Sequence, residues 1–343
     1  MTSASSQDER LIVIDWGTSN FRAFLVDSDS GEVLDIRRSA SGLRALSQDE
    51  FPHYCASQIQ DWRRGDGAAS GSKSGTSAAS GAENGAASGA KSIPIYLAGM
   101  VGSARGWAEA PQLELPVSAA ELADHVIAAP GLDDAWIVPG VKQVTAEHVD
   151  VMRGEEVQAF GALALSEAGA DSTSIDCCLP GTHSKWAHLD SGRMTGFTTL
   201  MTGELYHAVR FHTLPGEPAR EEAPFDEPAF RLGLSRAGGP GGVMHALFEG
   251  RSRHLYAGLD AHQVGSFLSG VLIGEEVRAM RDARPQIERV NLVGAESLRR
   301  SYTLALEAAG LEVNAIDSDR ATLAGVLAIA QRHRAHWRAN LHH

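Results

Sequence analysis

The hydrophobic pattern opens with three short runs. Residues 11–15 are β-branched and apolar, 20–27 mix aliphatic and aromatic residues, and 32–37 form a third run. Trp16-Gly17-Thr18-Ser19 separates the first two and the polar stretch 27–31 the next two. The pattern therefore predicts an antiparallel meander with a Gly/Thr/Ser-rich first turn. The same order recurs later: a strand at 177–179, the turn Pro180-Gly181-Thr182-His183-Ser184-Lys185, then strands at 186–189 and 195–200. A helix is predicted at 51–64, and a buried strand at 93–98 that ends in Gly99-Met100-Val101-Gly102-Ser103. A strand at 135–139 and a helix at 155–168 follow, the helix with Val157, Phe160, Leu163 and Ala164 on one face. The last third reads as a long helix at 261–280, a strand at 290–293, a helix at 298–309, a strand at 313–316 and a helix at 321–333. Alternation of this kind indicates an α/β core. A dinucleotide fold would pass from its first strand straight into a helix through G-x-G-x-x-G, and here a second strand follows instead.

Length and composition refine this picture. At 343 residues the chain is about twice a typical domain, so two compact domains are expected. Residues 65–90 are almost entirely Gly, Ser and Ala and carry no large apolar side chain. Nothing there offsets the entropy of ordering, so a flexible surface insertion is expected. Thirty Lys and Arg against 43 Asp and Glu give a formal charge of -13. With no basic run, a nucleic-acid partner is not expected, because tracking a phosphate backbone needs a positive surface. The three cysteines, Cys55, Cys177 and Cys178, have neither disulfide nor zinc spacing. A polar N-terminus and the lack of a long apolar run lead to the expectation of a cytoplasmic protein with no membrane association.

Candidate chemistry gathers at the turns. Asp15 ends a buried strand and faces a glycine turn. It either caps that turn or binds a cation whose other ligands are phosphate oxygens and water, the sparse ligation that Mg²⁺ favours. The amides and hydroxyls of Gly17, Thr18 and Ser19 can form an anion-binding nest, and Gly181, Thr182 and His183 a second one. Arg22 lies just beyond the first turn, within reach of a phosphoryl group or a substrate carboxylate, or else in a surface ion pair. Lys185 and His183 are weaker candidates for the same work. Arg153-Gly154-Glu155-Glu156 opens a helix. Its glutamates either complement the helix dipole or supply a general base for a substrate hydroxyl, and Glu155 is preferred because it follows the glycine directly. Gly294 and Ala295 suit either a flat ring lying on backbone or a tight packing turn. Gly102, Ser103 and Trp107 are candidate substrate contacts at a strand end, with core packing the other reading of Trp107.

Taken in order, these segments resemble the sugar kinase, hsp70 and actin superfamily of ATPases, and within it the 2-dehydro-3-deoxygalactonokinase family. The resemblance rests on LIVIDWGTSNFRAFLVD at 11–27, LAGMVGSARGW at 97–107, VMRGEEVQAFGA at 151–162 and LPGTHSKW at 179–186. It continues through MTGELYHAV at 201–209, FLSGVLIGEEV at 267–277, VNLVGAESLRRSYTLALEAAG at 290–310 and DRATLAGVLAIA at 319–330.

The resemblance implies an α/β protein of two ribonuclease H-like (actin-like ATPase) domains, 9–174 and 175–333, flanking a cleft that holds ATP and Mg²⁺. Asp15, Gly17 and Thr18 would be its first phosphate motif, Gly181 and Thr182 its second, and Gly294 part of its adenosine motif. Ala324 and Gly325 would lie in its second connecting helix. Related kinases carry a catalytic Asp within Gly-Asp-Gln-Gln, and Glu155 of Gly154-Glu155-Glu156 stands in that place. The implied reaction is phosphorylation of the 6-hydroxyl of 2-dehydro-3-deoxy-D-galactonate in galactonate breakdown. The substrate's carboxylate would be met by Arg22 or another cation, and Arg153, Glu155 and Glu156 are further candidate substrate contacts. A homodimer is the common assembly among sugar kinases. Rival expectations are a kinase of another sugar acid, ketose or polyol, and an ATP-dependent regulator or scaffold of the hsp70/actin type.

Overall fold

The computed structural model describes residues 10–64, 92–166 and 174–340. The Gly/Ser/Ala-rich stretch expected as an insertion lies outside the described residues. The chain packs as two compact units. One takes the described residues of 1–113, 119–141 and 326–343; the other takes 114–118 and 142–325. This division differs from a single divide after residue 174, because the chain passes between the units more than once.

The first unit is built on β1 (Arg10–Trp16), β2 (Phe21–Asp27), β3 (Val33–Ser39), α1 (Phe51–Arg64) and β4 (Ile95–Ala98). β1 pairs antiparallel with β2, and β2 with β3, while β4 lies parallel on the other side of β1. Leu11 through Ile14 are all fully buried. A run without alternation is what a central strand covered on both faces requires. β3 is the edge, and its Val33, Leu34 and Ile36 are exposed. α1 buries Phe51, Cys55, Ile59 and Trp62, one helical stripe, into the core formed by β1, β2 and β4.

Where the chain leaves and re-enters this unit run β5 (Gln112–Glu114), β6 (Val117–Ser118), α2 (Ala119–Asp124), β7 (Ile127–Ala128), β8 (Ala135–Ile137), β9 (Gly140–Val144) and β10 (Val149–Met152). The first sheet reads β3-β2-β1-β4-β8-β7, and β10-β9-β5 form a small three-stranded sheet. Of these short elements only β8 was expected.

The second unit follows the first one's plan. α3 (Glu155–Ala164) precedes the meander β11 (Ile175–Leu179), β12 (Ser184–Asp190) and β13 (Arg193–Leu200). Then come α4 (Thr202–His212), α5 (Glu227–Leu234), α6 (Gly242–Tyr256), α7 (Ala261–Ala283), β14 (Arg289–Gly294), α8 (Glu296–Ala308), β15 (Glu312–Asp317) and α9 (Ser318–Asn340), whose residues from 326 on belong to the first unit. The sheet order is β15-β14-β11-β12-β13-β6, with β14 parallel to β11 and β15 parallel to β14. Each unit thus holds an antiparallel meander whose first strand continues into a parallel layer. The Gly-Thr turn falls after that first strand both times.

All three cysteines are free and buried, and burial pushes the Cys55 thiol up to about 12. Among the described residues no helix is long and apolar enough to cross a membrane.

Candidate active site

The two turns are made alike. In the first, the Gly17 N–H donates to the Asn20 carbonyl at 2.9 Å, closing the β1–β2 hairpin. The carbonyls of Gly17 and Thr18 are taken by the N–H groups of Leu43 and Arg44, at 3.1 and 3.2 Å. Gly42 makes this approach possible, since a Cβ there would lie 2.4 Å from the backbone of Ser19. Trp16 anchors the turn from below, with its indole donating to the Ser41 carbonyl and its ring edge-on to Phe21 and Phe51. Among the described residues no backbone acceptor takes the N–H of Thr18 or Ser19.

In the second turn the Thr182 carbonyl accepts from the Glu204 N–H at 2.9 Å. Gly203 stands where Gly42 stands in the first: a Cβ there would meet the Gly181 oxygen at 2.4 Å. The N–H groups of Gly181, Thr182 and His183 likewise have no backbone acceptor among the described residues. In both turns a carbonyl is taken by backbone elsewhere while N–H groups remain without a backbone acceptor among the described residues, donors that an oxyanion could use. Sequence reasoning missed Gly42 and the role of Gly203, because each acts on backbone more than twenty residues away.

Asp15 lies at the end of β1, opposite Arg22 on β2, and the two side chains form an ion pair. Gly99, at φ 94°, follows β4 and closes over them. A Cβ on it would lie 2.8 Å from the Trp16 carbonyl and 3.2 Å from Asp15 Oδ1, so only glycine fits this conformation and space. Among the described residues no group of three or more His, Cys, Asp or Glu side chains can hold a metal ion. A hard cation at Asp15 would accordingly be held by one carboxylate together with water and phosphate oxygens, a donor set that suits Mg²⁺.

Further along the same loop, Ser103 Oγ is buried with no hydrogen-bond partner, and Gly102 is buried. Trp107 is different. It is 4% exposed, its indole donates to the Pro130 carbonyl at 2.9 Å, and its ring meets Trp16 edge-on. Trp107 is core, and the expectation of a substrate contact there is corrected: in this small-residue loop the aromatic side chain points into the apolar cluster.

In the second unit, Gly154 at φ 107° leads into α3, and its N–H donates to Glu156 Oε2 at 2.7 Å. Glu156 is fully buried, while Glu155 beside it is half-buried. Burial and the adjacent Glu155 charge push the Glu156 carboxyl up to about 8, so at neutral pH it is largely protonated. Because this value lies above the ordinary 4.5, folding takes up a proton. The associated stability is fully present below pH 4.5 and is lost as pH rises through about 8. A Glu156→Gln protein should lack that loss. Relative to it, the wild type should melt progressively lower between pH 5.5 and 8.5, and parallel melting curves would refute the raised value.

Lys185 on β12 is 5% exposed, and no hydrogen-bond or ion-pair acceptor reaches it among the described residues. His183 is exposed and its Nε2 lies 2.8 Å from Glu204.

A cavity of about 260 Å³ opens from Gly181, Thr202 and Gly203. Tyr206, Phe225 and Leu298 supply its apolar walls, and Ser266, Ser269 and Ser301 its polar groups. Such a mixture in a concave site suits a small ligand with a flat ring and a sugar. Ser297 and Leu298 line it, whereas Gly294 and Ala295 do not. Gly294 instead packs against Pro180, with a Cβ there 3.5 Å from the proline ring. Gly294 and Ala295 thus form the turn just before the wall residues Ser297 and Leu298.

Comparisons with known proteins agree on one family. The family model 2-keto-3-deoxy-galactonokinase matches residues 15–329. The chain is 34% identical over 323 residues to the 2-dehydro-3-deoxygalactonokinase of Escherichia coli (strain K12), covering 94% of this chain and 97% of that protein. It is 36% identical over 328 residues to a provisionally named 2-dehydro-3-deoxygalactonokinase of Rhizobium meliloti (strain 1021), covering 94% and 96%. A crystal structure of a provisionally named relative from Sinorhizobium meliloti superposes with a TM-score of 0.79 at 34% identity, over 95% of this chain and 99% of that one. The duplicated meander, the paired turns and these matches place the chain in the 2-keto-3-deoxy-galactonokinase family, within the α/β sugar kinase and actin-like ATPase superfamily.

Proposed function

We propose that this protein transfers the terminal phosphoryl group of ATP to the 6-hydroxyl of 2-dehydro-3-deoxy-D-galactonate, and that its two units are the two ATPase domains of the kinase. The observation that carries the reading is the repeated turn. Each sheet ends its first strand in a Gly-Thr loop with N–H groups that no backbone acceptor takes among the described residues. One loop carries Asp15, and the other opens on a cavity fit for a nucleoside.

In this mechanism the N–H groups of Thr18 and Ser19 in the one turn, and those of residues 181–183 in the other, are the donors available to phosphate oxygens. Asp15 would hold Mg²⁺, which when bound supplies neutralising charge on the phosphates. Arg22 keeps the Asp15 carboxylate oriented through their ion pair. Lys185, whose side chain is mostly buried on β12 and has no acceptor among the described residues, presents its ammonium to an anionic oxygen of nucleotide or sugar acid. Ser103, with its unpartnered hydroxyl, and Arg153 serve the sugar acid. Glu155 takes the proton of the attacking hydroxyl as its oxygen bonds to the γ-phosphorus and ADP departs. Glu156, largely protonated at neutral pH, is the poorer base of the two.

The direct test is ADP release with a panel of sugar acids, ketoses and polyols. A site built around a carboxylate leaves its cation unpaired when a neutral sugar binds, so kcat/KM should favour 2-dehydro-3-deoxy-D-galactonate by about 100-fold or more over neutral polyols. Equal rates on glycerol or a ketose would refute the substrate. ADP release that no small molecule stimulates would favour a regulator or scaffold instead.

A further inference from the structure

Glu276 is a buried carboxylate on α7 with no part in the proposed transfer. It is 2% exposed and accepts three hydrogen bonds. Ser184 Oγ and Trp186 Nε1 donate to its Oε1 at 2.6 and 2.9 Å, and the Tyr302 hydroxyl donates to its Oε2 at 2.9 Å. Among the described residues no Lys or Arg pairs with it. A carboxylate removed from water in this way is stabilised only by its donors, so their positions and its own are fixed together.

The donors come from two parts of the site. Ser184 is the first residue of β12, immediately after the second turn, and Trp186 follows on the same strand. Tyr302 belongs to α8 and lines the cavity, while α7 itself contributes Ser266 and Ser269 to the cavity wall. Burial and the neighbouring Glu276 carboxylate push the Tyr302 phenol far above its ordinary value, so its hydroxyl remains a donor at any working pH. One side chain therefore joins the loop with the phosphate-binding amides to two walls of the cavity.

We propose that Glu276 is a positioning residue for the nucleotide: it fixes the spacing between the second phosphate turn and the nucleoside cavity, so that both ends of one ATP molecule engage at once. The inference rests on reading this site as the ATP site. Adenosine needs only the cavity and tripolyphosphate only the turn, whereas ATP gains from linkage when the two are in register. Loss of Glu276 should therefore weaken ATP more than either fragment.

The test uses the full chain and calorimetric titration with ATP, adenosine and tripolyphosphate, alongside steady-state KM for the sugar acid. Glu276→Ala should weaken ATP roughly 10- to 100-fold while each fragment, and the KM for the sugar acid, changes by no more than about threefold. Glu276→Gln keeps an oxygen that accepts from Ser184 and Trp186, and should hold ATP affinity within about threefold of the wild type. Tyr302→Phe removes one donor and should weaken ATP about 3- to 10-fold and adenosine clearly less; it carries the test if the alanine protein fails to fold by circular dichroism. Unchanged ATP affinity in the alanine and phenylalanine proteins would overturn the proposal. So would an equal loss of adenosine, which would make Glu276 a mere shaper of the cavity. A wild type that binds ATP but phosphorylates no sugar acid would defeat the substrate reading and leave this inference standing. A wild type that binds no nucleotide would defeat both.

Discussion

A Glu155→Gln protein is expected to bind ATP and the sugar acid about as the wild type does and to lose roughly 10²- to 10⁴-fold in kcat, the range that a positioned general base supplies. Glutamine keeps the size and much of the hydrogen bonding of glutamate but cannot accept the proton. The choice of Glu155 over its neighbour is electrostatic. Glu156 points into the core, with one oxygen tied to the Gly154 N–H and its carboxyl pushed up to about 8. A group already protonated at neutral pH has no capacity left to take a proton from a hydroxyl. Glu155, half-buried, sits in the first turn of α3, where an anion is favoured by the helix N-terminus. Glu156→Gln should accordingly retain most of the turnover. Undiminished kcat in the Glu155 variant, or a larger loss in the Glu156 one, would reverse the assignment.

Much of the architecture was legible because its signals are local. β1, β2 and their glycine turn, and β11, β12 and theirs, are marked by apolar runs broken by turn residues, and the repetition of that order exposed the duplication. α1 was legible through its single stripe of Phe51, Cys55, Ile59 and Trp62. α6 was not. Its buried residues are the small Ala246 and Gly250 with Leu247, while Met244, Phe248, Leu255 and Tyr256 are exposed. The hydrophobic pattern there points to the wrong face.

The predicted helix 155–168 is observed only to Ala164. The site was half legible. Asp15, the two turns and the Glu155-Glu156 pair stood out as chemistry-bearing types beside glycines. The cavity did not, because small residues such as Gly265, Ser266 and Ser269 become a wall only through the packing of α4, α7 and α8. Trp107 shows the opposite error: an aromatic residue in a loop of small ones looks available for a ligand, and only the contact with Trp16 and the bond to Pro130 reveal it as core.

The largest effect on stability is expected where α3 crosses the first turns of α9. A Cβ on Gly161 would lie 1.8 Å from the Ala321 carbonyl oxygen, and one on Gly325 would lie 1.8 Å from that of Val157. The two helices touch backbone to backbone, and the same approach brings Gln158 Nε2 within 3.1 Å of Thr322 Oγ1. On an exposed helix surface, Gly to Ala stabilises by up to about 1 kcal/mol. Here the sign reverses, since the helices must separate to admit either methyl group, at a cost of about 1–3 kcal/mol or more. At about 2–4 °C per kcal/mol for domains of this size, Gly161→Ala or Gly325→Ala should lower Tm by several degrees. The pair should be far from additive, because helices already parted by one methyl group admit the second at little further cost. Glu155 sits at the start of the same helix, so either variant should also lower kcat at temperatures where the protein remains folded, through misplacement of the base. Two single losses that simply sum in the double variant would mean that the crossing yields elsewhere, and a stabilised Gly161→Ala protein would mean that the helices do not meet at this distance.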